Sequence, residues 1–270
     1  MSDSNFEIRP GSTDSAVILH VPHSSRLIPA KVRAGIVLSE QLLQEELDEV
    51  TDTHTDLLAL QTLEKLDLLT PTPWLFVNRR SRLVIDPERF PDEREVMNKV
   101  GMGAVYLKGT SGAQLRPADF DGSQLLNEFF YPYSQALSTL VAARLASCGY
   151  ALIIDIHSYR PKQHSNAINH GQMRPAMCLG SDEFHTPDWL KELFVKEFEV
   201  LGECLENQPY SGTYIPLDFF QSQRRVWSLM METRADTFLD ANLNPHEGLA
   251  EITQALARFI SRADQVASSK

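Results

Sequence analysis

The chain has 270 residues, of which 43% are hydrophobic, and this size fits one large α/β domain or two small ones with a sizeable core. Lys and Arg total 25 against 36 Asp and Glu, a formal charge of -11, which argues against nucleic acid as a partner because phosphate contacts need clustered cations. The three cysteines form no CxxC pair, the N-terminus lacks an apolar leader, and no stretch approaches about 18 apolar residues, so we expect a cytoplasmic globular protein without disulfides or a membrane span.

The first part of the chain predicts a strand followed by helices. After a polar N-terminal segment (1–15), the apolar run Ala16–Val21 stops at a proline and predicts a buried strand. Ser39–Leu69 has the three- and four-residue spacing of helices, with Ser39 as a candidate N-cap. The polar stretch TDTHTD (Thr51–Asp56) interrupts this helical pattern.

The middle of the chain contains two further strand candidates and an irregular region. TPWLFVN and SRLVIDP, which end at Asn78 and Pro87, predict two strands or one broken strand. Residues 93–120 contain glycines and little periodicity, so we expect a long excursion over the active face. Gln124–Ser147 predicts an amphipathic helix that ends near Gly149.

The second half of the chain contains the strongest strand signal, Tyr150–Ile156 (YALIIDI). Beyond it the pattern predicts a polar loop, a strand, a helix, a late strand and a closing helix. The corresponding segments are Arg160–Arg174, PAMCLG, Pro187–Cys204, Val226–Arg234 and Gly248–Ala267.

Short apolar strands alternating with long helices predict an α/β fold, with a mixed central sheet and helices on both faces. We expect a single domain over residues 16–270, with the strands at 16–21, 150–156 and 226–233 in the centre because their runs are apolar on both faces. Ligands of such sheets gather beyond the carboxyl ends of the strands.

Two histidines lie at strand ends, His23 in HVPHSSR and His157 in IIDIHSYR. Either one alone would more often be a hydrogen-bonded core residue, but two strand-end histidines can converge in this fold class. Asp155 lies two residues before His157, on the same side of the strand, where it could orient the ring or serve a structural role.

A catalytic zinc takes three protein ligands and keeps its fourth position for water. The segment TDTHTD offers Asp52, His54 and Asp56 as a third ligand, or is a solvated break between helices. Glu232 is the candidate general base, because a carboxylate in an apolar strand is costly unless it is paired or functional. A salt bridge with Arg234, on the same face, is the alternative interpretation.

Several arginines could recognise an acidic substrate, since a guanidinium binds a carboxylate through two parallel hydrogen bonds. We expect two or three of them to act in this way and the others to face solvent. The candidates are Arg79, Arg80, Arg82, Arg89, Arg160 and Arg174.

Six motifs in chain order resemble those of the N-formylglutamate amidohydrolase family: PHSS with TDTH, SRLVIDPER, DIHSYR, NQPYSGTY and METR. The wider resemblance is to zinc carboxypeptidases, whose strand-end histidine followed by serine and late strand-borne glutamate look like His157-Ser158 and Glu232. The resemblance runs from about residue 16 to residue 240, nearly the whole chain.

The resemblance implies a Zn²⁺ site formed by His23, an acid and His157, with Glu232 as the base. Asp52 matches the family's acidic position best, and His54 aligns with a histidine found in some members.

The resemblance also places Arg82 and Asp86 in a motif near the substrate, and Asn207, Tyr210 and Gly212 in a loop that shapes the pocket. Arg82, Arg89 or Arg174 would then stabilise the oxyanion or hold substrate carboxylates.

Two positions depart from the family pattern. Ser25 replaces a glycine that often follows the first histidine motif, and Glu88 precedes Arg89 where the family often has an asparagine. The added negative charge of Glu88 would weaken a pocket for the carboxylates of glutamate.

The implied function is hydrolysis of a small acidic N-acyl amino acid, with N-formyl-L-glutamate, giving formate and L-glutamate, as the best match. A related zinc peptidase and an N-acyl-amino-acid hydrolase that rejects formylglutamate are the enzymatic alternatives. A metal-free binding protein for acidic metabolites is the alternative from another class.

Overall fold

The computed structural model describes residues 4–162, 171 and 174–268, and within them seven strands form one mixed sheet. The strands are β1 (Phe6–Arg9), β2 (Val17–Val21), β3 (Trp74–Asn78), β4 (Ala151–Tyr159), β5 (Met177–Gly180), β6 (Cys204–Glu206) and β7 (Val226–Arg234). The helices are α1 (Ala30–Arg33), α2 (Glu40–Val50), α3 (Thr55–Lys65), α4 (Ser123–Leu125), α5 (Tyr131–Cys148), α6 (Asp188–Phe198) and α7 (Gly248–Ala267).

The sheet has the order β1-β3-β2-β4-β7-β5-β6, and its centre is parallel. β4 lies between β2 and β7 and is parallel to both, which confirms the three predicted central strands. β1 and β5 run antiparallel to their neighbours β3 and β7, so the sheet is mixed. The polar N-terminal segment therefore contributes an edge strand.

Helices cover both faces of the sheet, as predicted. α3, α6 and α7 bury their apolar faces in the larger core cluster, which includes Leu58, Phe194 and Phe259. α5 packs on the opposite face, where Tyr133 and Leu137 contact side chains of β2, β3 and β4. No helix in the described ranges is both long and apolar enough to cross a membrane.

Helix boundaries follow local chemistry at several predicted points. The Ser39 hydroxyl accepts a hydrogen bond from the Leu42 backbone N–H at 3.3 Å and caps α2 as predicted. α5 ends at Gly149, which adopts a φ of 80°, a left-handed conformation that favours glycine.

Two sequence interpretations were wrong in detail. SRLVIDP is not a strand: Leu83, Val84 and Ile85 are buried, but they pack against helices and the excursion instead of pairing in the sheet. The predicted helix Pro187–Cys204 ends at Phe198 and gives way to β6, with Gly202 in a left-handed conformation at the turn. A buried apolar run does not reveal its hydrogen-bonding partners. Most of the predicted polar loop Arg160–Arg174 lies outside the described residues.

Arg116, in the excursion over 93–120, is fully buried and helps to hold this excursion to the core. Its guanidinium donates hydrogen bonds to the backbone carbonyls of Tyr106 and Leu83. Burial lowers the pKa of Arg116 to about 10, a value at which the guanidinium still carries its charge at neutral pH. Arg116 thus links the excursion to the segment that carries Arg82 and Asp86.

We expect the substitution Arg116→Met to lower the free energy of unfolding by about 3 kcal/mol, because it removes two charge-assisted hydrogen bonds and leaves two buried carbonyls without a donor. Urea denaturation followed by circular dichroism measures the change. Arg94→Met, at an exposed arginine paired with Asp92, is the matched control and should keep a midpoint close to that of the unsubstituted protein. Equal midpoints for both variants would contradict the role of Arg116.

Candidate active site

A cavity of about 850 Å³ opens at the carboxyl ends of the parallel strands. His23 follows β2, His157 lies near the end of β4, and Glu232 lies near the end of β7. The register of β4 and β7 pairs the Cα atoms of His157 and Glu232, so these two side chains are direct neighbours. All three residues line the cavity, together with Asp52 from the connection between α2 and α3.

Three ligand-type atoms surround one point in this cavity. His23 Nδ1 and His157 Nδ1 are 3.3 Å apart, and Asp52 Oδ2 lies 3.1 Å from His157 Nδ1 and 3.8 Å from His23 Nδ1. Zinc bonds of about 2.0–2.1 Å in tetrahedral geometry separate neighbouring ligand atoms by about 3.3 Å. The spacing of these three atoms is therefore compatible with a shared metal ion.

The orientation of the His23 ring suits a metal ligand. His23 Nε2 lies 3.0 Å from Asp86 Oδ1, and an ionised carboxylate can only accept, so Nε2 carries the proton that is donated. In the neutral ring, the lone pair is then on Nδ1, which faces His157 and Asp52. A carboxylate behind a metal-binding histidine commonly fixes the ring in this way.

The His157 ring is held between carboxylates. Its Nδ1 faces Asp52, while its Nε2 lies 3.1 Å from Asp155 Oδ2 and 3.3 Å from Glu88 Oε2. These are ion-pair distances, but neither contact of Nε2 has the alignment of a hydrogen bond. Asp155 is thus behind the ring, where the sequence placed it, and it also accepts a hydrogen bond from His20 Nδ1 at 2.8 Å.

Of the three candidates in TDTHTD, Asp52 is the residue that meets the histidines. Its backbone N–H donates to the His23 carbonyl at 3.1 Å, which fixes the connection against the end of β2. His54 precedes α3 with a φ of 65°. Among the described residues, those that line the cavity include Asp52 and Thr53 but not His54.

The carboxylate of Asp52 and the imidazoles stabilise each other's charge. Burial opposes ionisation of Asp52, but the contacts with His157 and His23 lower its pKa to about 2. Burial and Arg82 oppose protonation of His23, yet Asp86 and Asp52 outweigh them and raise its pKa. A cation arriving here would replace the protons of the imidazoles.

Glu232 differs from the other acids of the site. Burial raises its pKa to about 8, and the negative charge of Asp52 adds to the increase. Its Oε2 is buried without a hydrogen-bond partner among the described residues. Arg234 does not form the alternative salt bridge, since it pairs with Asp236 at 2.7 Å. A carboxylate with a pKa near neutrality is suited to accept and return a proton.

Asp86 connects the arginine motif to the cluster. Besides His23, it accepts two hydrogen bonds from Arg82, at 3.2 and 2.7 Å, and one from the Tyr106 hydroxyl at 3.1 Å. Arg89 Nε approaches the same carboxylate at 3.6 Å. Arg82 and then His23 hold the pKa of Asp86 well below its usual range despite burial. Both arginines line the cavity, where Arg82 is paired with Asp86 and Arg89 lies 3.6 Å from Asp86 and 3.7 Å from Glu95.

Arg174 lines another wall of the cavity. Its guanidinium lies over the rings of Tyr159 and Tyr210 and donates to the Tyr210 hydroxyl at 3.1 Å. Asn207 is not brought into the cavity: its amide oxygen accepts from the Ser181 and Gly212 N–H groups, at 2.9 and 3.2 Å. Asn207 thus shapes the loop from behind.

Two buried residues that support the site, His20 and Tyr106, were not predicted from the sequence. His20 lies under the site, bonded to Asp155 and, at 2.5 Å, to the Tyr133 hydroxyl. Tyr106, from the excursion, has a pKa raised to about 12 by burial and donates to Asp86. His20 is the polar residue in the otherwise apolar run AVILHV, and this interruption could have indicated a buried, hydrogen-bonded histidine. No such interruption marks Tyr106, since it comes from an aperiodic segment.

Glu88 gives the site a second possible ligand set. The groups whose ligand atoms lie within 4.8 Å of one another include His23, Glu88 and His157 as well as His20, Glu88 and Asp155. The Nε2 atoms that face Glu88 are already opposite Asp86 and Asp155. We favour the Nδ1 set with Asp52 because it leaves those carboxylates in place behind the rings.

Imidazoles and carboxylates that converge in a cavity at the ends of parallel strands have the arrangement of a hydrolytic enzyme's active site. The family follows from comparison with known proteins. Residues 15–239 match the family model described as N-formylglutamate amidohydrolase, and the chain therefore belongs to this amidohydrolase family.

One curated protein is similar to the chain in sequence, and two solved structures share its fold. The chain is 25% identical over 262 residues to an N-formylglutamate deformylase of Pseudomonas aeruginosa, covering 90% of each chain. The crystal structure of an N-formylglutamate amidohydrolase from Ralstonia eutropha JMP134 matches with a TM-score of 0.77 at 19% identity, covering 98% of each chain. A gene product of Agrobacterium tumefaciens matches with a TM-score of 0.67 at 21% identity, covering 98% of this chain and 95% of that one.

The network around Asp86 predicts a large loss of stability for Asp86→Ala. The substitution leaves the half-buried Arg82 and the buried His23 without their shared carboxylate, and we expect the free energy of unfolding to fall by about 3 kcal/mol. Urea denaturation measures the loss. Asp92→Asn, at an exposed pair with Arg94, is the control and should leave the midpoint near its original value. An Asp86→Ala protein as stable as that control would show that Arg82 and His23 do not depend on Asp86.

Proposed function

We propose that the protein catalyses zinc-dependent hydrolysis of an N-formyl or other small N-acyl amino acid, with N-formyl-L-glutamate as the first substrate to test. The observation that carries this proposal is the group of His23 Nδ1, His157 Nδ1 and Asp52 Oδ2, whose atoms lie 3.1–3.8 Å apart. Beside them lies Glu232, whose Oε2 has no hydrogen-bond partner among the described residues. The Pseudomonas aeruginosa relative, an N-formylglutamate deformylase, supports the substrate class.

His23, Asp52 and His157 would hold the metal, and the donor set of two imidazoles and one carboxylate is typical of hydrolytic zinc sites. When bound, zinc lowers the pKa of a water ligand to about 7 and polarises a carbonyl group. Asp86 and Asp155 keep the two rings in position from behind.

Glu232 would move the proton. As a carboxylate it accepts a proton from the attacking water while the oxygen of that water bonds to the acyl carbon. The C–N bond then breaks, and Glu232 returns the proton to the leaving nitrogen. For N-formyl-L-glutamate the products are formate and L-glutamate. Burial raises the pKa of Glu232 to about 8, which makes its carboxylate a stronger base towards the attacking water than an exposed glutamate.

Positively charged side chains at the cavity wall would position the substrate. Arg174 is placed to bind a carboxylate, because its guanidinium faces hydroxyl and carbonyl oxygens of Tyr210 and Arg160 without a carboxylate partner among the described residues. Arg82 and Arg89 would stabilise charge that develops on the acyl oxygen, with Asp86 fixing their direction. Asn207 would act indirectly by holding the loop that carries Tyr210.

We also propose a cytoplasmic location. Cys148, Cys178 and Cys204 are free thiols, and Cys178 is buried. Unpaired cysteines fit a reducing compartment.

Release of formate from N-formyl amino acids by the zinc-loaded protein tests the function, and the substitution Glu232→Gln tests the mechanism. Glutamine cannot take up the proton, so the rate should fall by about 10²–10⁴-fold while bound zinc and the melting temperature are retained. Formate assay, metal analysis and thermal unfolding on one preparation measure all three quantities. Glu203→Gln, at an exposed carboxylate, is the matched control with unchanged turnover.

Three results would contradict these proposals. Normal turnover by Glu232→Gln would remove this residue from the mechanism. Release of free amino acids from peptides, without formate from N-formyl amino acids, would identify a peptidase. Tight binding of acidic metabolites without any hydrolysis would identify a binding protein.

A further inference from the structure

Glu88 places a negative charge inside the cavity that the proposed mechanism does not use. It lines the cavity two residues after Asp86. Its Oε2 lies 3.3 Å from His157 Nε2 and 3.6 Å from His23 Nε2, and its Oε1 lies 3.7 Å from His20 Nδ1. Oε1 is buried without a hydrogen-bond partner among the described residues.

The arginines of the cavity do not neutralise Glu88. Arg82 bonds to Asp86, and Arg89 lies between Asp86 and Glu95 at 3.6 and 3.7 Å. Among the described residues, the ion-pair partners of Glu88 are histidines alone, and these already face other carboxylates. A substrate group that reaches Glu88 therefore meets a carboxylate oxygen that accepts no hydrogen bond from the described residues.

The cations available to the substrate are correspondingly few. Within the described part of the cavity wall, Arg174 is the guanidinium that is neither paired with a carboxylate nor largely exposed. Lys99, Lys108 and Lys162 also line the cavity but are exposed. One substrate carboxylate can bind Arg174, whereas a second one directed at Glu88 would face like charge.

We propose that Glu88 is a specificity-determining residue, which accepts a hydrogen bond from an amide, hydroxyl or ammonium group of the substrate and excludes a carboxylate. This inference rests on the proposed function and narrows its substrate class to N-acyl amino acids with one carboxylate and a donor-bearing side chain. A site built around a buried acceptor discriminates strongly against a group that cannot donate, because the acceptor is then left unpaired.

N-formyl-L-glutamine and N-formyl-L-glutamate test the proposal, since they have the same shape and differ in one amide against one carboxylate. Binding is measured by titration calorimetry on zinc-loaded Glu232→Gln protein, in which turnover does not interfere. We expect the glutamine compound to bind at least about tenfold more tightly, because like charges in contact are strongly unfavourable. Adding Glu88→Gln should move this ratio by about tenfold or more towards the glutamate compound.

Two further variants distinguish the effect of the Glu88 carboxylate from poor folding and from a change in the overall charge of the cavity. Glu88→Asn also removes the negative charge, with a shorter side chain, and should shift the ratio in the same direction if Glu88→Gln folds poorly. Glu49→Gln removes a negative charge at the cavity mouth, where Glu49 pairs with Arg160, and should change the ratio by less than about threefold.

The possible outcomes distinguish this inference from the proposed function. Tighter binding of the glutamate compound, an unchanged ratio after both Glu88 substitutions, or binding of neither compound would overturn the role of Glu88. Formate release by the protein with Glu232 intact, from either compound, would still support the proposed function. Absence of formate release from every N-formyl amino acid, with selective binding retained, would overturn the function alone.

Discussion

The parallel pairing of β4 between β2 and β7 is the constraint on which the site depends. This register sets His20 beside Asp155 and His157 beside Glu232, and it brings the end of β2, with His23, to the same edge. Because successive side chains alternate between faces, a shift of one residue would exchange the polar and apolar faces of a fully buried strand. The core on both sides of the sheet therefore fixes the chemistry at its edge.

The charged groups of the site form a connected network in which carboxylates alternate with arginines and histidines. Asp86 balances Arg82 and orients His23, and Asp155 lies between His20 and His157. Buried ions of this kind are costly to separate, so the network favours a single arrangement of the side chains. Glu232 and Glu88 differ because each has a buried oxygen without a hydrogen-bond partner among the described residues, which leaves these carboxylates available to a ligand.

The features that depend on a single strand or helix could be predicted from the sequence. The strands around His157 and Glu232 are continuous apolar runs, so their central position and the convergence of their polar ends could be predicted. Residues 81–87 could not be assigned, because burial of Leu83 and Ile85 comes from loop packing that has the same hydropathy as a strand. The distinction between Asp52 and His54 depends on one backbone turn, and the placement of Asn207 behind its loop depends on tertiary hydrogen bonds. Neither the backbone turn nor these hydrogen bonds produce a periodic pattern of apolar residues in the sequence.

The central claim is that the Nδ1 atoms of His23 and His157, with the Asp52 carboxylate, bind a catalytic zinc beside Glu232. Anomalous diffraction at the zinc absorption edge, on crystals of the zinc-loaded protein, tests this claim most directly. We expect one strong peak at about 2.0–2.2 Å from His23 Nδ1, His157 Nδ1 and an Asp52 oxygen. A peak coordinated by Glu88 and the Nε2 atoms instead, or a fully loaded protein without a peak in this cavity, would contradict it.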